Sequence, residues 1–215
     1  MKLIAATFFL SLASCYAISQ DKAAASAAQA GSATKYVLGD LKIEGAVHDR
    51  NGVRDRILKA WKDREYDNTK ELVEAVMEIG IRGDFQDRGY FKVLAHDPVS
   101  RPLGLISGKQ SILVIASVVE GSQFRLRTLT LQNTTPDHAL TISAAILRDQ
   151  FHIRDGDLFN VGEIRAGLNR VRELYGARGY ADTKAEPELK IDDASQRIDF
   201  IVHVNEGQLS AGRIF

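Results

Sequence analysis

The chain has 215 residues, with 28 basic and 28 acidic side chains and therefore a formal net charge of zero. This balance provides no bulk electrostatic attraction for nucleic acid. Cys15 is the only cysteine, which excludes an intrachain disulfide framework and a cysteine-based metal site. The fold must therefore be stabilised by its hydrophobic cores.

The first residues have the pattern of an export signal. Lys2 supplies a positive charge, and residues 3–12 form an apolar run that is too short to span a bilayer as a helix. Ordinary cleavage after Ala17 fits the small residues there, and the sequence from Leu12 to Cys15 also fits a bacterial lipobox, in which Cys15 becomes lipidated. We expect a signal peptide over residues 1–17 and an exported protein, either soluble in the periplasm or a lipoprotein anchored to the outer membrane through Cys15.

A flexible linker is expected over residues 18–35. The stretch from Ser19 to Thr34 is rich in alanine and serine and has no large apolar side chain. Such a segment cannot bury enough surface to offset the entropy lost on ordering.

The first set of structural elements follows this linker. An alternating pattern that places Leu41 and Ile43 on one face predicts a half-buried strand. Val53, Ile57 and Trp61 recur at helical spacing and predict a short helix.

A longer helix and two strands complete the first set. The apolar stripe of this helix consists of Val73, Met77 and Ile81. Its end is expected to be loose, because Gly80 and Gly83 each destabilise a helix by about 1 kcal/mol relative to alanine. The closing strands are predicted at about residues 91–96 and 110–119, with a long loop over residues 97–109 between them.

The second set repeats this order. A strand places Leu129 and Leu131 on one face, and Thr141 is predicted as the N-cap of a short helix that carries Ile142, Ala145 and Ile146. The closing strands are predicted at about residues 181–189 and 197–204. The long helix carries one apolar stripe, formed by Ile164, Leu168, Val171 and Tyr175.

Matched landmarks show that the two sets are copies of one unit. Both long helices end in Arg-Gly-Tyr, at residues 88–90 and 178–180, and both final strands end in Glu-Gly, at residues 120–121 and 206–207. The offsets between the copies are 90 residues for Arg-Gly-Tyr (178 − 88) and 86 for Glu-Gly (206 − 120). Self-similarity at a fixed period indicates a repeated structural unit.

The β-α-α-β-β order, the Gly-Tyr corner and the Glu-Gly ending resemble the POTRA (polypeptide-transport-associated) domain. The second copy is the closer match, in residues 154–160, 174–182 and 202–207. The first copy departs from the family pattern, because residues 63–68 lack the glycine-aromatic signature between the helices and its last loop is long. The resemblance covers roughly residues 36–208.

The resemblance implies an α+β fold with two tandem POTRA-like modules, each a three-stranded mixed sheet packed against two helices. The modules are expected over residues 36–121 and 122–208, with a C-terminal stub over residues 209–215. POTRA domains usually precede an outer-membrane β-barrel, for which this chain has no room, and a chain that natively continues into a third module stays open.

The same resemblance implies a role in outer-membrane biogenesis rather than catalysis. The expected function is the binding of polypeptides, outer-membrane β-barrel proteins or their assembly partners in the periplasm. Nucleic acid is not an expected partner, and membrane contact is expected only through a lipidated Cys15. The alternative is a structural scaffold for cell division or secretion that uses helix faces, with Arg165 and Arg172 as contact residues.

In the family layout, the strand after the second helix lies at a sheet edge, where its free N–H and C=O groups can pair with an extended peptide. The first copy is favoured as acceptor, because Pro187 and charged residues blunt the second edge. In the alternative interpretation, Phe91 and Val93 are core residues and both edges are idle. The predicted partner-binding residues are Phe91, Val93, Leu94, Ala95, Tyr180, Thr183 and Ala185.

No motif in the sequence supports catalysis. The five histidines lack metal-ligand spacing, and no serine lies in a nucleophile-elbow motif. We therefore expect a protein that is not an enzyme and that binds neither a cofactor nor a metal.

Overall fold

The computed structural model describes residues 34–45 and 47–209. The predicted signal peptide, Cys15, nearly all of the predicted linker and nearly all of the C-terminal stub lie outside the described residues.

Two three-stranded mixed sheets form the framework. In the first, β1 (Tyr36–Glu44) runs parallel to the central β3 (Lys109–Val119), and β2 (Leu94–Ile106) runs antiparallel to it. In the second, β4 (Arg125–Asn133) runs parallel and β5 (Lys184–Asp192) antiparallel to the central β6 (Arg197–Asn205). The predicted α+β fold is confirmed, and β2 and β5 are edge strands as expected.

Helices cover one face of the first sheet. The helix α1 (Arg50–Trp61) buries the three predicted side chains Val53, Ile57 and Trp61. The second helix consists of α2 (Thr69–Ala75), a π-helical segment (Val76–Arg82) and α3 (Gly83–Asp87) in direct succession. The helix continues through both glycines to Asp87, so the expectation of a loose end is wrong.

The π-helical segment changes which side chains of this helix reach the core. Met77 and Ile81 are buried as predicted, whereas Val73 is only partly buried. A π turn contains more residues than an α turn and therefore rotates the buried stripe around the helix. The other buried side chains of the helix are Leu72, Val76 and Phe85.

The second sheet is covered by α4 (Ala144–Arg148) and α5 (Val161–Gly176). All four residues of the predicted stripe of α5 are buried, which confirms it. The predicted start of the short helix is wrong: its N-cap is Ser143 rather than Thr141, and the Ser143 hydroxyl oxygen accepts a hydrogen bond from the backbone N of Ile146. Leu147 is buried while Ile146 is exposed.

The predicted long loop over residues 97–109 is also wrong. Residues 94–106 form one continuous edge strand, and only Ser107 and Gly108 separate it from β3. Both residues have positive φ, 50° and 77°, as a two-residue type I′ hairpin requires. The turn-forming residues that suggested a loop lie at two β-bulges, at Asp97-Pro98 and at Leu103-Gly104, and the strand continues through both.

Each sheet has its own core, and no helix among the described residues is both long and apolar enough to cross a membrane. The strand β3 illustrates the alternation: Val114, Ala116 and Val118 are buried, and Leu113, Ile115 and Ser117 between them are half-exposed.

Two helical glycines provide a test of this packing. Gly83 has helical φ and open space where a Cβ would lie, so Gly83→Ala should increase the free energy of unfolding by about 1 kcal/mol. A Cβ on Gly167 would lie 2.2 Å from a ring carbon of Phe151, so Gly167→Ala should instead decrease it by about 1–3 kcal/mol. Urea denaturation of both variants measures these changes in the free energy of unfolding. A more stable Gly167→Ala variant would contradict the close packing of Gly167 against Phe151.

Candidate polypeptide-binding edge and module junction

The glutamate of each Glu-Gly landmark ties the end of the central strand to the segment before the first helix. Glu120 is 4% exposed; it accepts a hydrogen bond from the backbone N of His48 (2.9 Å), and its other oxygen lies 2.6 Å from His48 Nδ1. Glu206 accepts from the backbone N (2.6 Å) and Oγ1 (2.9 Å) of Thr141 and from the hydroxyl of Tyr175 (2.7 Å). The landmark therefore has a structural role, and Thr141 serves this contact rather than a helix cap.

The Arg-Gly-Tyr landmark places an aromatic ring beside this glutamate. Phe85 and Tyr90 meet edge to face at 5.7 Å, and Tyr175 and Tyr180 meet in the same way at 5.9 Å. Burial raises the pKa of the Tyr90 hydroxyl, and its hydrogen bond to Glu120 raises it further. Burial opposes ionisation of Glu120, but the hydrogen bonds from His48 and Tyr90 outweigh it and lower the pKa of that carboxyl. Tyr180, a predicted binding residue, thus lies half-buried against Tyr175.

Phe91 lies in the junction between the two units. It precedes β2 and packs edge to face against Phe159 at 5.6 Å and Phe124 at 6.4 Å, both of which belong to the core of the second unit. The backbone N of Phe124 donates to Gly89 O at 2.8 Å and fixes the chain at this point. Its predicted position in the edge strand is wrong, because this ring inserts into the neighbouring unit instead.

Asp87 caps a helix of the other unit. Its carboxylate accepts a hydrogen bond from the backbone N of Gly162, in the first turn of α5, at 2.7 Å. A carboxylate at a helix N-terminus is favourable because free N–H groups point toward it. Lys92 adds an exposed ion pair with Asp193 at 2.5 Å, which contributes little by itself. Contacts of three kinds therefore join the two units.

Substitution of Phe91 should reveal this junction. Phe91→Ala removes a partly buried ring and should lower the free energy of unfolding by about 2 kcal/mol. The loss should fall on the second unit, so amides of β4 and α5 should exchange hydrogen faster. Hydrogen exchange followed by mass spectrometry measures this, with the exposed neighbour Leu94→Ala as the matched control. Faster exchange confined to β2 and β3 would contradict the assignment of Phe91 to the second core.

The free edge of β2 is the candidate polypeptide-binding site. Leu94 is 58% exposed at its start, whereas Val93 lies outside the strand and is buried in the core, and Ala95 is partly buried against that core. The side chain of Val93 is therefore closed to a partner, as in the alternative core interpretation. What β2 offers is its main chain and its exposed apolar residues.

The prolines of β2 limit the main-chain donors on this edge. Pro102 lies opposite Ile112 of β3. In an antiparallel ladder, two opposed residues either exchange two N–H···O=C hydrogen bonds or direct these groups away from each other. Because proline has no N–H, Pro102 belongs to the second kind, and its backbone nitrogen and carbonyl face the free edge. Ser100 lies two residues earlier in the same uninterrupted register, so its N–H also points to the free edge. The first edge thus contains prolines as the second does, and Pro187 alone does not distinguish the two.

The second edge differs in its side chains. Thr183 and Ala185, predicted as binding residues, are each 8% exposed, and Thr183 Oγ1 bonds to the carbonyls of Tyr180 and Glu206, both at 3.0 Å. Charged residues alternate along β5 outside this buried pair, at Lys184, Glu186, Glu188 and Lys190. Charged side chains on an edge strand disfavour pairing with another chain.

The outer faces of the two sheets show the same contrast. On the second sheet, Asp199 forms an ion pair with Arg127 and accepts from Thr128 Oγ1 at 2.7 Å, and His203 lies 2.7 Å from Glu188. On the first sheet, the positions of β3 that correspond to Asp199 and His203 are Leu113 and Ser117, and both central strands carry a half-exposed isoleucine between them, Ile115 and Ile201. The apolar side chains on the outer face of β3 are Leu113, Ile115 and Val119, opposite Arg101, Val99 and Leu94 of β2. The central strand of the first sheet therefore exposes more apolar side chains than that of the second.

The ion pair on the second sheet makes stability depend on pH. The Arg127 guanidinium and the Thr128 hydroxyl lower the pKa of Asp199 from its ordinary value near 4 to about 2. Because the pKa of Asp199 is lower in the folded state than in the unfolded state, the ion pair stabilises the fold fully above about pH 4. This stabilisation is lost as the pH falls toward 2. Asp199→Asn should remove this part of the acid destabilisation in thermal melts between pH 4 and 2. An unchanged pH dependence in that window would contradict it.

A groove of about 290 Å³ lies between α1, the π-helical segment and α5. Trp61, Ile79, Gly83 and Val161 contribute apolar walls, and Arg165 lies at its rim. Of the basic residues on α5, Arg170 bonds to Gln150 O at 2.6 Å and Arg172 to Asn169 Oδ1 at 3.0 Å. The described residues contain no group of three or more His, Cys, Asp or Glu side chains that could hold a metal ion.

A family model described as POTRA, surface antigen variable number repeat, matches residues 139–207. The match covers most of the second unit, in which the sequence resemblance was closer.

Two solved structures share the fold at low sequence identity. POTRA domains 3–5 of BamA from Haemophilus influenzae superpose with a TM-score of 0.53 at 19% identity, covering 81% of this chain and 68% of that one. BamA of Haemophilus ducreyi lacking POTRA domains 1–3 gives 0.55 at 16% identity, covering 79% of this chain and 29% of that one. The chain therefore spans less than a third of the second of these proteins.

Proposed function

We propose that this protein binds polypeptides by edge-strand addition in outer-membrane protein assembly or translocation, because residues 139–207 match a POTRA family model and both units share the fold of solved POTRA domains. The acceptor is the free edge of β2. The observation that carries the proposal is an edge strand of thirteen residues with exposed apolar side chains, whose outer edge pairs with no other strand among the described residues.

The chemistry of β2 suits an extended partner. Free carbonyls along the strand and donors such as Ser100 N–H can pair with a peptide, and Leu94 and Val99 provide apolar contacts beside them. The partners that fit this site are unfolded polypeptides, outer-membrane β-barrel proteins and their assembly factors. Neither a cofactor nor catalysis is part of this proposal, and the signal-like pattern of the first residues supports an exported, periplasmic location. Lipidation of Cys15 belongs to the same proposal.

A photo-reactive residue at position 94 tests this function in the host envelope, with position 172 on α5 as the control. Capture of barrel proteins or their assembly factors through position 94 is the expected result. Ser100→Pro should reduce this capture about fivefold, because it removes one outward donor worth about 1 kcal/mol, while Ser100→Ala should leave it unchanged. Equal capture by both variants, or capture only through position 172, would rule out strand addition at β2.

A scaffold in cell division or secretion is the second candidate. The groove between α1, the π-helical segment and α5 favours it, because both units contribute walls and Arg165 makes no ion pair among the described residues. Charge reversal at Arg165 should then weaken partner binding while Ser100→Pro does not. The two candidates thus differ in which variant loses binding.

A further inference from the structure

The tip of the β2–β3 hairpin is an exposed apolar structure. Six of the ten exposed large apolar side chains in the described residues belong to β2 and β3. Three of them surround the turn: Leu103 is 55%, Leu105 69% and Ile106 59% exposed. The corresponding hairpin of the second unit turns through polar residues, with Ile191 at 40% as its one large exposed apolar side chain.

The directions of these side chains restrict what can cover them. Successive residues of a strand point to opposite faces, so Leu105 and Ile106 extend from opposite sides of the hairpin. A protein partner that packs on one face, or pairs with the free edge, would cover only one of them. A fluid apolar medium that surrounds the tip covers both, as the acyl boundary of a bilayer does.

The charges of the hairpin fit the surface of such a bilayer. No acidic residue occurs from Pro98 to Val119, and the two basic residues in that range are Arg101 and Lys109. Lys109 forms an ion pair with Glu65, whereas Arg101 is exposed and makes no ion pair within the described residues. An unpaired cation beside an apolar tip is complementary to anionic headgroups.

The location of the tip leaves it free to reach a membrane. Gln110, just after the turn, pairs with Tyr36 and its N donates to Lys35 O at 2.8 Å, so the tip lies at the end of the first sheet where β1 begins. The junction with the second unit lies at the opposite end, where β2 begins after Phe91. The backbone at the tip is paired across the hairpin, which limits the unpaired groups that a move to interfacial depth would bury.

We propose that this hairpin tip inserts into the interface of a lipid bilayer with anionic headgroups and thereby holds the first unit at a membrane surface. Leu103, Leu105 and Ile106 enter the acyl boundary, and Arg101 contacts the headgroups. This inference does not depend on polypeptide binding, which uses the main chain of β2 with Leu94 and Val99 and is measured by a different readout. It adds a second site of membrane contact to the one expected at Cys15.

The test is flotation of the full chain with vesicles of phosphatidylethanolamine and phosphatidylglycerol. Leu105→Glu combined with Ile106→Glu should reduce the vesicle-bound fraction relative to wild type, with a partition coefficient lowered about tenfold or more. Ile191→Glu, the same chemical change on the second hairpin, is the matched control and should bind like wild type. Arg101→Glu should weaken binding to these vesicles and leave binding to phosphatidylcholine vesicles unchanged.

A site-specific measurement separates the tip from any contribution of the N-terminal residues. Because the native Trp61 is only 5% exposed, the fluorescence of each variant is compared with that of the wild type. Brominated lipids should quench the additional fluorescence of Leu105→Trp and should not quench that of Ile191→Trp. Equal quenching at both positions, or equal flotation of the double variant and wild type, would overturn the proposal. Loss of a dimer on gel filtration without vesicles, caused by the double variant, would overturn it in favour of a contact between two copies.

Discussion

The structure depends on one constraint: each sheet has only three strands and is covered by helices on only one face. The helices bury the inner face, and among the described residues no further layer packs over the outer face and no strand pairs with the free edge of β2 or β5. The polarity of each outer face is therefore determined by its own side chains. On its central strand the second unit places Asp199, paired with Arg127, where the first unit has the half-exposed Leu113. One architecture thus yields two outer faces of different polarity.

The two units share a framework of contacts but differ at their surfaces. In both units a glutamate at the end of the central strand binds the segment before the first helix and lies beside a tyrosine. In the second unit the hydroxyl of Tyr175 on α5 donates to Glu206, whereas the tyrosine beside Glu120 in the first unit is Tyr90 at the corner. The glutamate thus has a tyrosine neighbour in both units, from a different place in the chain. The units differ mainly at their edges and outer faces.

Much of the fold could be predicted from the sequence, because periodicity in α1, α5 and the central strands is uninterrupted and the landmarks recur. The predictions were wrong where contacts between residues far apart in the chain determine the structure. Pro98 and Gly104 are local signals for a loop, yet pairing with β3 holds them in a strand through two bulges. The phase of the second helix depends on a π turn that no sequence pattern marks. Of the candidate site, the position at an edge was predictable. The inward direction of Val93 and the insertion of Phe91 were not, since both depend on packing partners far along the chain.

The position of Phe91 means that the repeat in the sequence and the cooperative unit of folding do not coincide. The first repeat ends at Gly121, but a ring from within it completes the second core, and Asp87 completes the first turn of α5. If the first half opens, the second loses an aromatic partner and a helix cap at the same moment. The halves therefore form a hierarchy rather than two equal foldons, in which the second cannot retain its full stability once the first has melted.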